Sequence, residues 1–437
     1  MIYYFLMQKK DILKTIIRGF HTEDIPLFIR RNIELPLNSS KIITVTGPRR
    51  AGKTYLVFQH IQELISKNVS KEKILYLNFE DERIELSQNE LDLILQSYRE
   101  LYPEIKLSDC YFFFDEIQNL TGWERFIRRI YDTVCKNIFI TGSNSRLLSS
   151  EIASSLRGRT LKYEVYPLMF REFLLFKKFN FKPEIDLFDS VKKAVLIKLF
   201  NEYLQYGGFP EIVLLEENLK LKTLQEYFEV MLYRDIAERY SVRDTLVLKY
   251  FLKRLAESVT KPYSIHKIYN ELKSNQIKVG KDTLYKFIDY AEDVYMIKTI
   301  KKHYNSIIKT ELAEKKAYLA DTGLLAAIKM INGNNLGALL ENLVSHELSA
   351  RHQDIVFFKE RNKCDFIVNK RNCFQICFDL GTYETKKREI AGLKEACRFV
   401  GTNKGYILTM DEKFDIKESG INIAVLPVFE FILSDII

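Results

Sequence analysis

Glycine and proline are scarce, 17 and 9 in a chain of 437 residues, which excludes collagen-like and low-complexity disordered classes. Cysteine occurs six times, at Cys110, Cys135, Cys364, Cys373, Cys377 and Cys397. No two are spaced C-x-x-C, so no structural zinc site is expected, and packing in a reduced compartment is their simplest use. No apolar run reaches the roughly eighteen residues of a membrane helix. Ile2–Met7 is too short for a signal peptide or a span, and Lys9-Lys10 ends it. A cytoplasmic protein with no membrane partner is the expectation. What remains is 47% hydrophobic and 28% charged, enough to fill the cores of several domains. The formal charge of +8 permits a nucleic-acid partner without requiring one.

The few glycines are pointedly placed. Lys41–Thr46 is a short run rich in β-branched residues, as a buried strand should be. Gly47-Pro48-Arg49-Arg50-Ala51-Gly52-Lys53-Thr54 follows without a gap and fits G-x-x-x-x-G-K-[ST]. From Lys53 and Tyr55 onward, apolar residues recur at helical spacing. Gly47 and Gly52 let successive N–H groups face one anion, and the helix N-terminus adds positive potential. This pattern predicts a phosphate loop over Gly47–Tyr55, with Lys53 reaching the β- and γ-phosphates of ATP and the Thr54 hydroxyl binding Mg²⁺.

A second strand, Lys73–Phe79, ends in Glu80-Asp81-Glu82-Arg83, which is either a metal-facing edge or a solvated loop. The third, Tyr111-Phe112-Phe113-Phe114, is aromatic throughout, as a strand buried on both faces can be, and stops at Asp115-Glu116. This is a Walker B pattern 62 residues after Lys53: Asp115 would hold Mg²⁺ and Glu116 would polarise the attacking water. A fourth strand, Asn137–Thr141, leads to Ser143 and Asn144, one or other of which is expected to sense the γ-phosphate, a plain turn being the alternative. Arg157 and Arg159 flank Gly158 and could clamp phosphate in cis or reach a neighbouring subunit's nucleotide, which leaves a homo-oligomer open. Upstream, residues 11–40 form a lead-in: a helical pattern, Thr22-Glu23-Asp24 as a candidate helix start, and the basic pair Arg30-Arg31.

The strings GPRRAGKT, NFEDER, FFFDEIQN, TGSNSRLLSSEIASSLRGRT, YPLMFREFL and YGGFPE occur in that order. Together they resemble prokaryotic, chiefly archaeal, AAA-type ATPases with an uncharacterised restriction-endonuclease-like domain in the C-terminal half. The similarity runs from about residue 30 to 430. It implies ATP binding and hydrolysis by Lys53, Thr54, Asp115 and Glu116, a role near Arg157 and Arg159, and a helical lid after the ATPase core.

The expected architecture is α/β. A P-loop NTPase with a parallel, AAA-like sheet (1–170) precedes a helical lid (171–240), a winged helix-turn-helix (241–310) and a small restriction-endonuclease-like α/β domain (311–437). Residues 241–303 hold thirteen Lys and Arg against seven Asp and Glu, and read as helix, turn, helix, strand. Lys278, Lys281, Thr283 and Lys286, with Tyr285, would face DNA; a protein-binding winged helix is the alternative. In the last domain, Glu341 on an amphipathic helix and Asp365 on a strand fit the first two positions of a metal-dependent nuclease. The third reads Gln375-Ile376-Cys377, without the acid or the lysine that such chemistry needs. Asp379, Lys386 and Lys387 are the candidate replacements, and a domain that binds without cutting is the expectation. These readings add up to an Mg²⁺-dependent ATP hydrolase acting as a nucleotide-driven switch on DNA. The rivals are an ATP-coupled nuclease and a signalling or scaffold ATPase that binds proteins.

Overall fold

Five short strands build the first sheet: β1 (Ile42–Thr46), β2 (Ile74–Asn78), β3 (Tyr111–Asp115), β4 (Asn137–Gly142) and β5 (Thr160–Glu164). In the computed structural model, which describes residues 2–145, 156, 158–304, 306–311, 313–329 and 336–434, all five are parallel, in the order β2-β3-β4-β1-β5. The two-residue period of β3 sends Phe112 and Phe114 to one face and Phe113 to the other. Helices Ile2–Thr22, Asp92–Leu101 and Trp123–Thr133 cover the first face through Leu13, Ile94, Tyr98 and Ile127. Helix Lys53–Ser66 covers the second through Leu56, Val57 and Ile61. There Phe113 stacks on Phe139 with ring centroids 4.6 Å apart. Burying each such ring contributes about 1.5–3 kcal/mol, so β3 is pinned from both sides. Asn78 lies opposite Asp115 and Thr46 opposite Gly142, which brings the carboxyl ends of four strands to one level.

Two details depart from the sequence reading. Thr22 does not begin a helix but ends one, its Oγ1 donating back to the Arg18 carbonyl at 3.1 Å. Strand β5, which apolar patterning does not reveal, is an edge strand with Leu161 43% exposed.

The chain divides into two compact units, Met1–Val165 and Tyr166–Ile437. The second begins with helices, among them Phe170–Phe176, Ser190–Tyr206 and Glu217–Val230, the last continued by a π-helical stretch Met231–Glu238. The Tyr206-Gly207-Gly208 turn closes on a buried carboxylate: Asp321 accepts from the Gly208 amide at 2.8 Å and the Gly323 amide at 2.7 Å. A Cβ on Gly207 would lie 1.8 Å from Asp321 Oδ1, so the motif is architectural.

Helices Thr245–Glu257, Ile265–Ser274 and Lys281–Asp293 follow, the first two started by side-chain caps from Asp244 and Ser264. They lead into β6 (Ile297–Lys302) and β7 (Lys315–Leu319), an antiparallel pair. After helix Leu336–Arg351 come β8 (Ile355–Lys359), β9 (Lys363–Val368), β10 (Asn372–Ile376), helix Tyr383–Val400, β11 (Lys404–Thr409), β12 (Phe414–Glu418) and β13 (Ile421–Pro427). These strands form one mixed sheet, order β12-β13-β11-β10-β9-β8-β6-β7, so a single sheet crosses residue 310. Helix Leu336–Arg351 is not amphipathic in place: Glu341, Asn342, Ser345, His346 and Glu347 are all buried with its leucines. Among the described residues, no helix is long and apolar enough to cross a membrane.

Candidate nucleotide site

The site grows from the end of β1. A Cβ on Gly47 would lie 2.0 Å from the Val165 carbonyl oxygen, so only glycine lets the chain turn here. The loop folds back with the Ala51 amide on the Pro48 carbonyl (3.3 Å) and starts helix Lys53–Ser66 after Gly52. Behind it lies an element that sequence reasoning missed. Buried Arg31 donates from Nη1 to the Ala51 carbonyl at 2.8 Å, and the Gln59 amide clasps the Arg31 backbone at 2.8 and 3.2 Å. The lead-in segment thus braces the loop.

Lys53 is buried to 4% exposure. Its Nζ donates to Ser143 Oγ (2.7 Å) and to the Pro48 (3.1 Å) and Gly47 (3.3 Å) carbonyls, and lies 3.2 Å from Glu116 Oε1. Ser143 Oγ in turn lies 2.8 Å from Glu116 Oε1, and Gln118 donates to Glu116 Oε2. Burial pushes the Glu116 carboxyl up, but the Lys53 ammonium, the Gln118 amide and the Ser143 hydroxyl outweigh it and bring it down to about 2. Glu116 also holds a left-handed backbone (φ 51°), a conformation that costs a side-chain residue about 1 kcal/mol or more. Its amide donates to Thr141 Oγ1 at 2.9 Å, which fixes that turn.

Asp115 is surrounded by hydroxyls. Thr54 Oγ1 donates to its Oδ2 at 2.7 Å, Tyr76 Oη to the same oxygen at 3.1 Å, and Thr141 Oγ1 to Oδ1. Burial pushes this carboxyl up. A buried carboxylate ringed by hydroxyl oxygens offers the hard donors that Mg²⁺ takes, and Thr54 and Asp115 would fit that ion. Tyr76 and Thr141 were not singled out by sequence; the signal was their place on the strands that flank the one ending in the two acids.

The other expected residues divide clearly. Arg49 reaches across to Glu80, Nη1 to Oε1 at 2.5 Å. Arg50 adopts a left-handed backbone (φ 66°) within the loop, and Ala51 is fully buried. Asn144 is buried after β4, whereas Tyr55 is half exposed at the first turn of the helix. Arg157 lies outside the described residues. Arg159 precedes β5 and its carbonyl accepts from Ile42, at the amino end of the sheet, roughly a strand length (~13 Å) from the loop. Its Nε pairs there with Asp132 at 3.0 Å, so it is not brought to the phosphate loop.

In the second unit, Lys278, Lys281, Thr283, Tyr285 and Lys286 are all exposed, while Leu284, Phe287 and Ile288 of the same helix are buried. Glu341, Asp365 and Gln375 are brought together in a buried cluster, and the lysine that sequence reasoning found missing from position 377 enters from β7 as Lys316. Lys387 is exposed, and Lys386 Nζ lies 5.1 Å from the centroid of the Phe414 ring.

Residues 39–174 match the family described as an AAA domain, and residues 197–335 match a domain of unknown function. An uncharacterized protein of Methanocaldococcus jannaschii is 37% identical over 89% of this chain and 86% of its own length. An uncharacterized protein of Haemophilus influenzae is 33% identical over 79% of this chain and 84% of its own. Among solved structures, Cdc6p of Pyrobaculum aerophilum is similar at 13% identity and a TM-score of 0.26, covering 77% of this chain and 94% of that one.

Proposed function

This chain belongs to the same family as those archaeal and bacterial relatives and carries an AAA-type ATPase domain, and we propose that it is an Mg²⁺-dependent ATP hydrolase working as a nucleotide-driven switch. The observation that carries this reading is the Lys53–Ser143–Glu116 contact set standing beside the Thr54–Asp115 pair. Lys53 exchanges the loop carbonyls and Glu116 for the β- and γ-phosphate oxygens of ATP. Glu116, relieved of its ammonium, then orients the attacking water and takes its proton, steered by Ser143 and by the fixed turn at Thr141. Thr54 and Asp115 would hold Mg²⁺, which when bound neutralises phosphate charge. Arg31 acts through Ala51 as a positioning residue. The switch is the transfer of Lys53 between Glu116 and substrate, which couples nucleotide state to the turn after β3.

For the target we propose DNA, met by the exposed Lys278, Lys281, Thr283 and Lys286 in and before helix Lys281–Asp293. Measuring phosphate release from ATP and Mg²⁺ tests the core of the proposal. Lys53→Ala should lower turnover by about 10³-fold or more, the scale of a cation placed on a transferring phosphoryl group. Unchanged turnover would refute the reading.

A further inference from the structure

The second unit contains a charged interior that the ATPase reading does not use. Lys316 on β7 is 2% exposed, and its Nζ donates to Glu341 Oε1 at 3.0 Å and Asp365 Oδ1 at 3.1 Å. Its ammonium also lies 5.3 Å from the centroid of the Phe357 ring. Tyr318 Oη donates to the same Glu341 oxygen at 2.6 Å, and the Ile376 amide donates to Asp365 Oδ2 at 3.2 Å. Phe374 pairs with Phe366, so Gln375 falls opposite Asp365 on the same face of the sheet. Gln375 is 1% exposed; its amide nitrogen is spent on Glu389, and its Oε1 has no hydrogen-bond partner among the described residues. Glu389 is matched by Arg388.

Two features point to a cation. An orphaned amide oxygen inside a protein is unfavourable unless something positive can use it. Inside the pocket two carboxylates also share one fully buried ammonium, the second cation being the half-exposed Lys363 at the rim, its Nζ 3.7 Å from Asp365 Oδ1. Burial and the neighbouring Asp365 push the Glu341 carboxyl up, while Lys316 holds Asp365 down against burial. A dication would balance the two carboxylates fully. Its ligands are hard oxygens, two carboxylates and an amide, of the kind that Mg²⁺ and Mn²⁺ take. The ammonium, however, already engages both acids.

We propose that this pocket carries its cation within the chain, the Lys316 ammonium standing where a small divalent ion would otherwise sit between Glu341 and Asp365, and that removing this side chain opens a divalent-cation site on these two carboxylates, toward which the unpartnered Gln375 oxygen could turn. Each carboxylate would then draw in by about 1 Å, from hydrogen-bond to metal-ligand distance. The inference does not depend on the ATPase reading, and its test contains no nucleotide. It also gives the second unit a physical reason to bind partners without metal-assisted cutting: the ammonium and the metal compete for the same oxygens.

The probe is Mn²⁺, followed by loss of the free-ion electron paramagnetic resonance signal in titrations of the full chain. Lys316→Ala should bind one more Mn²⁺ per chain than the wild type, and Lys316→Ala with Asp365→Asn should lose it again. Two results in these titrations would overturn the proposal. One is wild-type protein that already binds this Mn²⁺ and loses it on Asp365→Asn. The other is a folded Lys316→Ala that binds no more than the wild type. Should Lys316→Ala fail to fold alone, refolding with millimolar Mn²⁺ decides: recovery of the native fold supports the proposal, and failure with the ion present contradicts it.

Discussion

Lys53 and Lys316 are both buried beside carboxylates, yet they are held by different kinds of partner. Lys53 donates to two loop carbonyls and a serine hydroxyl, with one carboxylate 3.2 Å away. Lys316 donates directly to two carboxylates and lies over an aromatic ring. Neutral partners at the open end of a parallel sheet can be exchanged for phosphate oxygens at modest cost. Two buried carboxylates cannot be left without their ammonium. On the proposed reading the first lysine is a moving part and the second a fixed one, although a list of buried charges would not separate them.

The largest effects should separate the two by assay. Lys316→Met removes one partner of a buried ion cluster and should cost about 3–5 kcal/mol of stability in urea denaturation. ATP turnover per folded molecule should be preserved. Lys53→Ala should lose turnover and cost less stability than Lys316→Met, because the carboxylate it leaves behind keeps Ser143 and Gln118 as hydrogen-bond donors. If the two substitutions behaved alike in either assay, the distinction would fail.

A second contrast lies in the carboxylates. Glu116 is lowered to about 2 from its ordinary 4.5 by Lys53 and its hydrogen bonds, against burial. Its contribution to stability is complete above pH 4.5 and is lost as the pH falls toward 2. Asp321 is the opposite case: burial pushes it up to about 6 from 3.8, and the Gly208, Gly323 and Leu324 amides offset only part of that. The native state then keeps a proton that the unfolded chain releases, so stability should fall by about 3 kcal/mol as the pH rises from about 4 to 6. Denaturation at the two ends of that window should show the decline in wild type and a flatter profile in Asp321→Asn. Equal slopes would remove Asp321 as the cause.

The smallest effect concerns the exposed lysines, which have no buried partner to lose. Replacing Lys278, Lys281 and Lys286 with alanine should leave stability within about 0.5 kcal/mol. It should weaken DNA binding and reduce the salt dependence of log K by roughly 1 for each lost phosphate contact. Wild-type binding that is absent or indifferent to salt would instead favour a protein partner.

The phosphate loop and the acids after β3 were legible because their signals are local: a glycine pattern between a strand and a helix, and two acids ending an aromatic run. What was missed is nonlocal. Arg31 braces the loop from 20 residues upstream of Ala51. Thr141 and Tyr76 reach Asp115 only because β2 and β4 pair with β3 on either side. Strand β5 is half solvated and lacks an apolar signature, and its amino end carries Arg159 away from the loop. Lys316 lies 49 residues before Asp365, so a search for acid and lysine on one strand passes over it. It meets Glu341, which lies on a helix, through a contact between strand and helix 25 residues apart.

The central claim is that Glu116 is released by Lys53 to act on water, and Glu116→Gln tests it most directly. Single-turnover hydrolysis should slow by about 10²–10⁴-fold while binding of a fluorescent ATP analogue stays within a few-fold of wild type. Hydrolysis at the wild-type rate with binding intact would contradict the account.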